Sequence, residues 1–283
     1  MVALDLAWVA LSLLPHVGTK TLSALIDTFG NADEVLLADK ADLMQVRGVG
    51  KKIADSIRSI NLAEIENEIE NWQKAGVQIV LQGSPQYPET LVGISDAPPT
   101  LFMLGNTNNQ NWERMIAIVG TRNPSQQAAK LAKQLGKILA EDNWTIVSGL
   151  ALGIDGMGHE GALEFEKGRT IAVLGSGVLN IYPPENQILA QKILERGLLL
   201  GENHPFASPK AALLVSRNRI ITGLCQHVIV LETGIEGGAM YAARAAIKQG
   251  RTVHSFDFPA SGNQDLLRSG ANCLNPDLAQ FQL

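Results

Sequence analysis

The sequence has few of the features that mark secreted, membrane-spanning or disulfide-stabilised proteins. It contains two cysteines, Cys225 and Cys273, which form no CxxC pair, so we expect small core side chains and neither a disulfide nor a metal site. No apolar run reaches the roughly 18 residues of a membrane span. The apolar residues 1–14 carry Asp5 and no preceding basic residue, unlike a secretory signal. We therefore expect a buried helix in a cytoplasmic protein without a membrane partner.

The chain also lacks an excess of positive charge. Its 23 Lys and Arg face 28 Asp and Glu, giving a net charge of −5 over 283 residues. Residues 1–76 account for −4 of this total, with seven basic and eleven acidic residues. Nucleic-acid-binding domains usually carry a basic total. Any site for a polyanion must therefore be a local concentration of positive charge.

Motifs of common enzymes and cofactor sites are missing. The sequence has no GxGxxG dinucleotide loop, no Walker loop, no HExxH and no nucleophile elbow. Asp155, His159, Glu160 and Glu232 could serve acid–base catalysis, but we predict structural roles for them. In particular, His159 lies four residues after Asp155, so we expect these two side chains to hydrogen-bond at a helix start. We thus expect no catalytic residue, cofactor or metal.

What the chain does have is a regular alternation of strands and helices after residue 76. Short β-branched runs at 115–119, 144–148, 170–174, 198–200, 227–232 and 252–256 alternate with helices of about ten to seventeen residues. This pattern predicts an α/β fold with a doubly wound, mostly parallel sheet covered on both faces. Two domains follow, a helical one at 1–76 and the sheet domain at 77–283.

Residues 1–76 are predicted to form short helices joined by two hairpins. Gly48-Val49-Gly50 followed by Lys51 and Lys52 matches the helix-hairpin-helix pattern, in which hairpin amides hold a backbone phosphate. Residues 15–18 match it in part. Such pairs also serve purely for packing or for protein docking, and the acidic balance of this region leaves both roles open.

Glycine-rich segments follow four of the predicted strands. The longest, Ser148–Leu163, has four glycines between a strand and a helix, and its backbone amides could bind an anion. Because parallel strands end at one edge of a sheet, we expect the segments to meet in one crevice. Tight turns in any doubly wound sheet could produce the same pattern. The candidate phosphate-binding residues are Gly120, Thr121, Ser148, Gly149, Gly153, Gly237 and Gly238.

Three arginines complete the predicted site. Arg122 follows the first of these strands, ahead of Ser125, which can cap the next helix; a guanidinium there can clamp phosphate. Arg217 and Arg219 flank Asn218 at a helix start, and we predict that at least one of the two reaches the crevice. The alternative is a structural ion pair with Glu202 or Glu232.

Together these residues resemble the DNA-processing protein A family (DprA, also called Smf). The resemblance extends over most of the chain and rests on the segments Tyr87-Pro88, Val119–Arg122, Ser148–Ala151, Gly153–Asp155, His159–Leu163, Tyr182-Pro183, Arg217–Ile221 and Gly250-Arg251. It implies an extended Rossmann-like domain behind the helical one. It also implies single-stranded DNA in the basic crevice, delivery of that strand to a RecA-type recombinase during DNA uptake, and a homodimer.

The chain departs from the family pattern in places. Thr121 stands where the family usually has Ser, Gly158 where it has Ala, and Ala260 where a glycine is common. Many members carry a winged-helix module after the sheet domain, and we expect none here.

Two alternative functions come from other classes. A phosphoribohydrolase-type enzyme would need a PGGxGTxxE loop, and the segment 233–240 lacks its second glutamate. A nucleotide-sensing module without a DNA role is the other alternative.

Overall fold

The computed structural model describes residues 4–106 and 114–278. Its N-terminal part consists of short helices that end where the chain enters the sheet. These helices are α1 (Leu6–Ser12), α2 (Thr19–Phe29), α3 (Ala32–Leu37), α4 (Lys40–Leu43), α5 (Lys51–Arg58) and α6 (Leu62–Lys74).

A single nine-stranded sheet organises the rest of the described chain. Its order is β1-β2-β6-β5-β4-β3-β7-β8-β9, with parallel pairing from β6 to β9 and antiparallel pairing of β1 with β2 and of β2 with β6. The predicted α/β class with a mostly parallel sheet is confirmed. The strands are β1 (Val77–Leu81), β2 (Thr100–Gly105), β3 (Met115–Val119), β4 (Thr145–Ser148), β5 (Arg169–Val173), β6 (Leu198–Gly201), β7 (His227–Val230), β8 (Thr252–Phe256) and β9 (Asn272–Leu274).

Helices cover both faces of this sheet. They are α7 (Glu89–Val92), α8 (Gln126–Glu141), α9 (Ile154–Glu164), α10 (Gln187–Arg196), α11 (Ala211–Ser216), α12 (Asn218–Leu224), α13 (Gly238–Lys248) and α14 (Ser261–Arg268). The sequence predicts one helix near 215–224; the structure instead has α11 and α12, separated at Arg217. Ser125 caps α8 as predicted, since its hydroxyl accepts from the Ala128 amide at 3.2 Å.

Alternate residues of β3 show how the two faces are filled. Ala117 and Val119 pack into a cluster with α12 and α13. Ile116 and Ile118 belong to a second cluster with α8 and α9. Period-two alternation in a strand with both faces buried requires apolar residues at every position. This explains the uninterrupted apolar run of the central strands.

The strand order reverses at β3. From β3 the chain adds β4, β5 and β6 on one side, and it then returns to add β7, β8 and β9 on the other. In open parallel sheets a ligand crevice forms at such a reversal, where the flanking loops separate. The loops after β3, β4 and β7 therefore gather around one opening.

The last N-terminal helix shares its core with the sheet. Trp72 in α6 is buried and meets Phe102 of β2 edge to face, with ring centroids 5.6 Å apart. Helices α1 to α5 have a separate apolar cluster around Leu22, Leu25 and Leu43. The division of the chain at residue 76 stays a prediction, because contacts cross it.

The two hairpins of this region face different surroundings. In the first, Val17 is buried and the Thr19 hydroxyl donates to the carbonyl of Ala97, so this hairpin packs against the sheet domain. In the second, Lys51 and Lys52 at the start of α5 are exposed. The second hairpin thus presents two adjacent lysines to solvent, whereas the first presents His16 and Lys20.

The two cysteines behave differently. Cys225 is buried, as predicted, whereas Cys273 is exposed. The prediction of a core position for Cys273 is wrong because β9 is the edge strand of the sheet, and two of its three residues are exposed. Among residues 4–106 and 114–278, no helix is both long and apolar enough to cross a bilayer.

Candidate functional site

A crevice of about 710 Å³ opens at the carboxyl end of the central strands. Its walls come from the end of β3, the β4–α9 loop, the loop before α13 and the junction of α11 with α12. Seven predicted residues line it: Gly120, Thr121, Arg122, Arg217, Asn218, Gly237 and Gly238. The other predicted residues, Ser148, Gly149, Gly153 and Arg219, lie outside this lining.

Arg122 is the accessible cation of the crevice. It is exposed, and within the described part of the chain it makes no hydrogen bond or ion pair. Its backbone is held from below, because the amide of Ile154 donates to the carbonyl of Thr121 at 3.2 Å. All five N–H donors of the guanidinium are thus available to a ligand.

Arg217, in contrast, is bound into the protein. It is 5% exposed, and its guanidinium donates to the carbonyl of Gly149 at 2.5 Å, to the carbonyl of Val173, and to the Asn218 side chain at 3.1 Å. The Asp155 carboxylate lies 3.9 Å away. Arg217 therefore ties the β4–α9 loop to the end of β5 while one of its edges borders the crevice.

Burial shifts the pKa values of both Asp155 and Arg217. Desolvation raises the pKa of Asp155, although Arg217 and the amides of Ala151 and Gly149 favour the charged form. Desolvation likewise lowers the pKa of Arg217, and Asp155 opposes that shift. Each group thus offsets the cost of burying the other.

Neighbouring atoms lie so close to residues 149 and 153 that only glycine fits at these positions. A Cβ on Gly149 would lie 2.1 Å from the Arg217 guanidinium. Gly153 has φ +76°, and a Cβ there would come within 2.4 Å of the Thr121 carbonyl oxygen. These glycines shape the rim of the crevice from beneath, so their part in the site is structural.

Several amides of the glycine-rich loops are already used inside the protein. Thr121 donates to the Glu232 carbonyl at 2.7 Å, Ser125 to the Glu232 carboxylate at 2.6 Å, and Gly149 to Asp155 at 3.1 Å. The expectation of unpaired amides at the Ser148–Leu163 turn is therefore wrong for Gly149. The Ser148 hydroxyl is also buried and donates to the carbonyl of Ile118 at 2.6 Å.

The N-terminus of α13 supplies the backbone donors instead. Gly237 and Gly238 both line the crevice, and no side chain caps this helix. The Gly237 amide donates to the Gly234 carbonyl at 2.8 Å and the Met240 amide to the Gly237 carbonyl at 3.0 Å, so among the described residues the amides of Gly238 and Ala239 are the unpaired ones. The first amides of a helix have no partners within it and carry a partial positive charge. The crevice therefore presents this helix end beside the Arg122 guanidinium, an arrangement suited to phosphate.

Arg219 forms the structural ion pair with Glu202 that was the alternative to a position in the crevice. Its guanidinium forms a two-pronged pair with the Glu202 carboxylate, both distances being 2.6 Å, and its Nε donates to the carbonyl of Asp96 at 2.9 Å. Burial opposes its charge, yet the hydrogen bonds with Glu202 raise the pKa of Arg219. Arg217 and Arg219 are two positions apart, with Asn218 between them, and point to different faces, so only Arg217 of the two borders the crevice.

The crevice also has an apolar side, which its sequence pattern did not indicate. Tyr182, Leu214 and Val215 line it opposite the polar loops, and Leu152 lines an adjoining cleft. In the sequence, Tyr182 stands out only as part of the Tyr182-Pro183 segment of the family resemblance. The signal available in the sequence was an aromatic residue directly before two prolines, Pro183 and Pro184.

The comparisons with known proteins bear on this geometry. The family model described as DNA recombination-mediator protein A matches residues 78–281, which include the whole crevice. The chain belongs to this family. A model of the helix-hairpin-helix motif matches residues 7–65, in agreement with the predicted pattern.

Individual members of the DNA recombination-mediator family support the assignment. The DNA processing protein DprA of Bacillus subtilis is 37% identical over 231 residues, covering 76% of this chain and 77% of the relative. Protein Smf of Synechocystis is 34% identical over 273 residues, covering 95% of this chain and 67% of the relative. At 95% coverage, the Synechocystis match includes both the helical and the sheet regions.

Solved structures of family members share the fold. The X-ray structure of DprA from Streptococcus pneumoniae matches with a TM-score of 0.81 and 28% identity, covering 99% of each chain. The DNA processing protein A of Helicobacter pylori, whose structure describes a single-stranded DNA binding mode, matches with a TM-score of 0.64 and 28% identity. That match covers 70% of this chain and 92% of the relative.

In this family member, His159 does not pair with Asp155 as predicted. Its Nδ1 lies 2.6 Å from the hydroxyl oxygen of Thr170, and that hydroxyl donates to the Ile146 carbonyl at 2.7 Å. The Thr170 proton is thereby committed, so the proton on Nδ1 must be the one shared with Thr170. Nε2 is buried without a partner among the described residues. Thr170 of β5, 11 residues further along the chain, therefore binds this side chain in place of Asp155.

A pH-dependent stability follows from His159. Burial, aided by Arg217, lowers the pKa of His159 to about 3, below the value of about 6.5 in an unfolded chain. The unfolded state therefore binds more protons below pH 6.5, and stability is lost as the pH falls, by about 1.4 kcal/mol per unit for one histidine. Between pH 7.5 and 5.0, urea unfolding of wild type should lose about 2 kcal/mol more than that of His159→Asn.

The matched control for this measurement is His16→Asn. His16 is exposed and has φ 69°, a conformation that asparagine tolerates. This variant should keep the acid sensitivity of wild type. Burial also lowers the pKa of His254 to about 4, but His254 is present in both proteins and contributes equally to their acid sensitivity. Equal acid sensitivity in His159→Asn and wild type would therefore contradict the role assigned to His159.

Proposed function

We propose that this chain binds single-stranded DNA in the crevice and serves as a recombination mediator without catalytic activity. The observation that carries the proposal is the unpaired, exposed guanidinium of Arg122 beside the N-terminus of α13. Successive phosphates of a flexible strand would bind these two donor groups. The single-stranded DNA binding mode described for the H. pylori relative supports the choice of ligand.

The acidic net charge does not oppose this site locally. Asp155 is buried against Arg217, and the Glu232 carboxylate accepts from the amide of Ser125. Glu236 is the exposed carboxylate of the loop that leads into α13. Most of the negative charge of the crevice is thus engaged, while Arg122 and the helix end remain free to attract phosphate.

The non-catalytic assignment rests on the state of the acid–base residues. Asp155 lines the crevice but accepts from the Gly149 amide and faces the Arg217 guanidinium, and His159 is fully buried against Thr170. These contacts support structural roles for both residues. We extend the proposal to delivery of the bound strand to a RecA-type recombinase, to action as a homodimer, and to a cytoplasmic location. The family description as a recombination mediator supports the delivery step.

A binding panel tests the proposed ligand. Labelled oligo-dT, a duplex of the same length and free nucleotides are titrated at several salt concentrations. We expect tight binding of oligo-dT with a clear negative dependence on salt, weaker binding of duplex, and negligible binding of free nucleotides. Preferential binding of a mononucleotide would instead favour a nucleotide-sensing role, and release of free base would favour a phosphoribohydrolase.

The partner proposals need separate measurements. Sedimentation of the purified chain should give twice the monomer mass of 30.4 kDa. The chain should also accelerate assembly of a RecA-type recombinase on oligo-dT already coated by a single-strand-binding protein. A monomer in solution would reject only the proposed homodimer. A failure to accelerate recombinase assembly would reject only the proposed delivery step.

A further inference from the structure

We propose that the outer face of α8 is a track for the phosphates of the strand that leaves the crevice, so that bound DNA contacts the protein beyond the crevice itself. This inference rests on the proposed function and extends it to a second surface. The track is the polar face of α8, made up of Gln126, Gln127, Lys130, Lys133, Gln134 and Lys137.

The crevice is too small to hold a long strand. Its volume of about 710 Å³ is that of a site for one drug-sized ligand. The rest of a long strand must therefore lie on the protein surface beside the crevice or leave the protein. Arg122 lines the crevice, and α8 begins four residues later, at Gln126. The surface of α8 is thus directly connected to the proposed phosphate site.

The polar face of α8 is basic, although the chain as a whole is acidic. Residues 126–140 contain three lysines and no Asp or Glu, whereas the whole chain has a net charge of −5. On the opposite side of the helix, Leu131, Leu135 and Leu139 are buried in the core. Ammonium groups and neutral amide side chains both donate hydrogen bonds to phosphate oxygens. This face therefore suits a phosphodiester backbone.

Two of the three lysines have no partner in the fold. Within residues 4–106 and 114–278, Lys130 and Lys137 make no hydrogen bond or ion pair. Glu141, the last residue of α8, lies one turn after Lys137 and pairs with neither lysine. Both ammonium groups are therefore available to a ligand.

The glutamates of the neighbouring helix lie on another side of α8. Lys133 pairs with Glu160 at 3.4 Å and with Glu164 at 3.1 Å, both in α9.

The two free lysines point away from α9. Gly136 faces that helix, since a Cβ on Gly136 would lie 2.4 Å from the Gly158 carbonyl oxygen. At about 100° per residue, Lys130 and Lys137 lie roughly 120° and 100° round the helix from Gly136. Their charges are therefore presented to solvent and not to the α9 carboxylates.

The spacing of the free lysines fits a strand that runs along the helix. Lys130 and Lys137 are seven residues apart, close to two full turns, so they lie on one face about 10 Å apart along the axis. Neighbouring phosphates of one strand rise about 3.4 Å in B-form DNA. The two ammonium groups can therefore contact two different phosphates that are a few nucleotides apart.

The fold itself gains nothing from this arrangement. Like charges four residues apart on a helix, as at Lys133 and Lys137, destabilise it. Within the described chain, no ion pair of Lys137 offsets that repulsion. A bound phosphodiester backbone would relieve it, so the arrangement favours an anionic ligand over a purely structural role.

The test varies the length of the strand. Fluorescence anisotropy is measured at several salt concentrations with oligo-dT of about 6 and about 20 nucleotides, within and beyond the site sizes of single-strand-binding folds. In the double variant Lys130→Gln, Lys137→Gln, the slope of log K against log salt for the long strand should fall by about 1.4, or about 0.7 per lost phosphate contact. At about 0.15 M salt its affinity for the long strand should fall roughly tenfold. The short strand should bind as it does to wild type.

Two further double variants serve as controls. Lys130→Arg with Lys137→Arg keeps both charges and should keep the wild-type slope for the long strand. Lys167→Gln with Lys248→Gln removes the same charge from two exposed lysines at the opposite edge of the sheet, one before β5 and one at the end of α13. This second control should bind both strands as wild type does.

Three results would overturn the track. They are an unchanged long-strand slope in the Lys130→Gln, Lys137→Gln variant, an equal loss on both strand lengths, and the same loss in the Lys167→Gln, Lys248→Gln control. Binding of the short strand by wild type tests the crevice separately. Failure of wild type to bind either strand would reject the proposed function and the track with it, whereas short-strand binding without the long-strand effect would reject the track alone.

Discussion

Replacing Arg122 with alanine is expected to weaken binding of oligo-dT by roughly 10- to 100-fold. Arg122 is the one crevice-lining arginine of the described chain without an internal partner, so its donors are free for phosphate. A hydrogen bond to a charged group contributes about 1.5–3 kcal/mol, and a factor of ten corresponds to about 1.4 kcal/mol. The effect is measured by anisotropy titration at a fixed salt concentration.

The salt dependence separates this effect from general damage. Loss of one phosphate contact should reduce the slope of log K against log salt by about 0.7 for a single strand. Arg122→Lys should restore the slope but only part of the affinity, because an ammonium cannot make the two-pronged contact. The control is Arg169→Ala, which removes the same charge at the first residue of β5, at the opposite end of the sheet. Equal losses in Arg122→Ala and Arg169→Ala would refute a specific contact.

Replacing Arg217 with alanine is expected to lower the free energy of unfolding by about 3–5 kcal/mol. The substitution leaves Asp155 as a buried carboxylate without its counter-charge and leaves the carbonyls of Gly149 and Val173 without their donor. Breaking a buried pair by removing one partner has a cost of this size. In a chain of this length the melting temperature should fall by roughly 10 °C. Chemical denaturation at pH 7.5 provides the measurement.

A double variant tests the cause of that loss. Arg217→Leu combined with Asp155→Leu removes both charges and should recover part of the stability lost in Arg217→Leu alone, because no uncompensated charge remains. The control is Arg268→Ala, since Arg268 is exposed at the end of α14; it should change stability by less than about 0.5 kcal/mol. A loss below about 1 kcal/mol in Arg217→Ala would contradict the structural role assigned to this residue.

The site itself was predictable in outline because its determinants are local in sequence. A strand followed by glycine and arginine, as at residues 115–122, places Arg122 at the sheet edge whatever the rest of the chain does. The glycines before α13 likewise indicated a helix start at the same edge. Positions set by one strand and its next turn are thus readable from the sequence.

The partners of individual side chains were not predictable in the same way. Asp155 and His159 lie four residues apart, and helix spacing favoured a bond between them. In the fold, Asp155 receives the Gly149 amide and His159 turns to Thr170. Both outcomes depend on how closely α9 packs on β4 and β5, and the spacing of residues in the sequence does not predict that distance.

By itself the sequence determined the fold class, the family and the edge of the sheet at which the site lies, because period-two apolar runs and glycine-rich turns act over a few residues. Only the tertiary structure decided that Arg217 is buried, that Arg219 pairs with Glu202 and that Arg122 alone of the three is free. The reason is distance along the chain. Arg217 finds Val173 44 residues away and Arg219 finds Asp96 123 residues away, and such contacts exist only once the sheet has assembled.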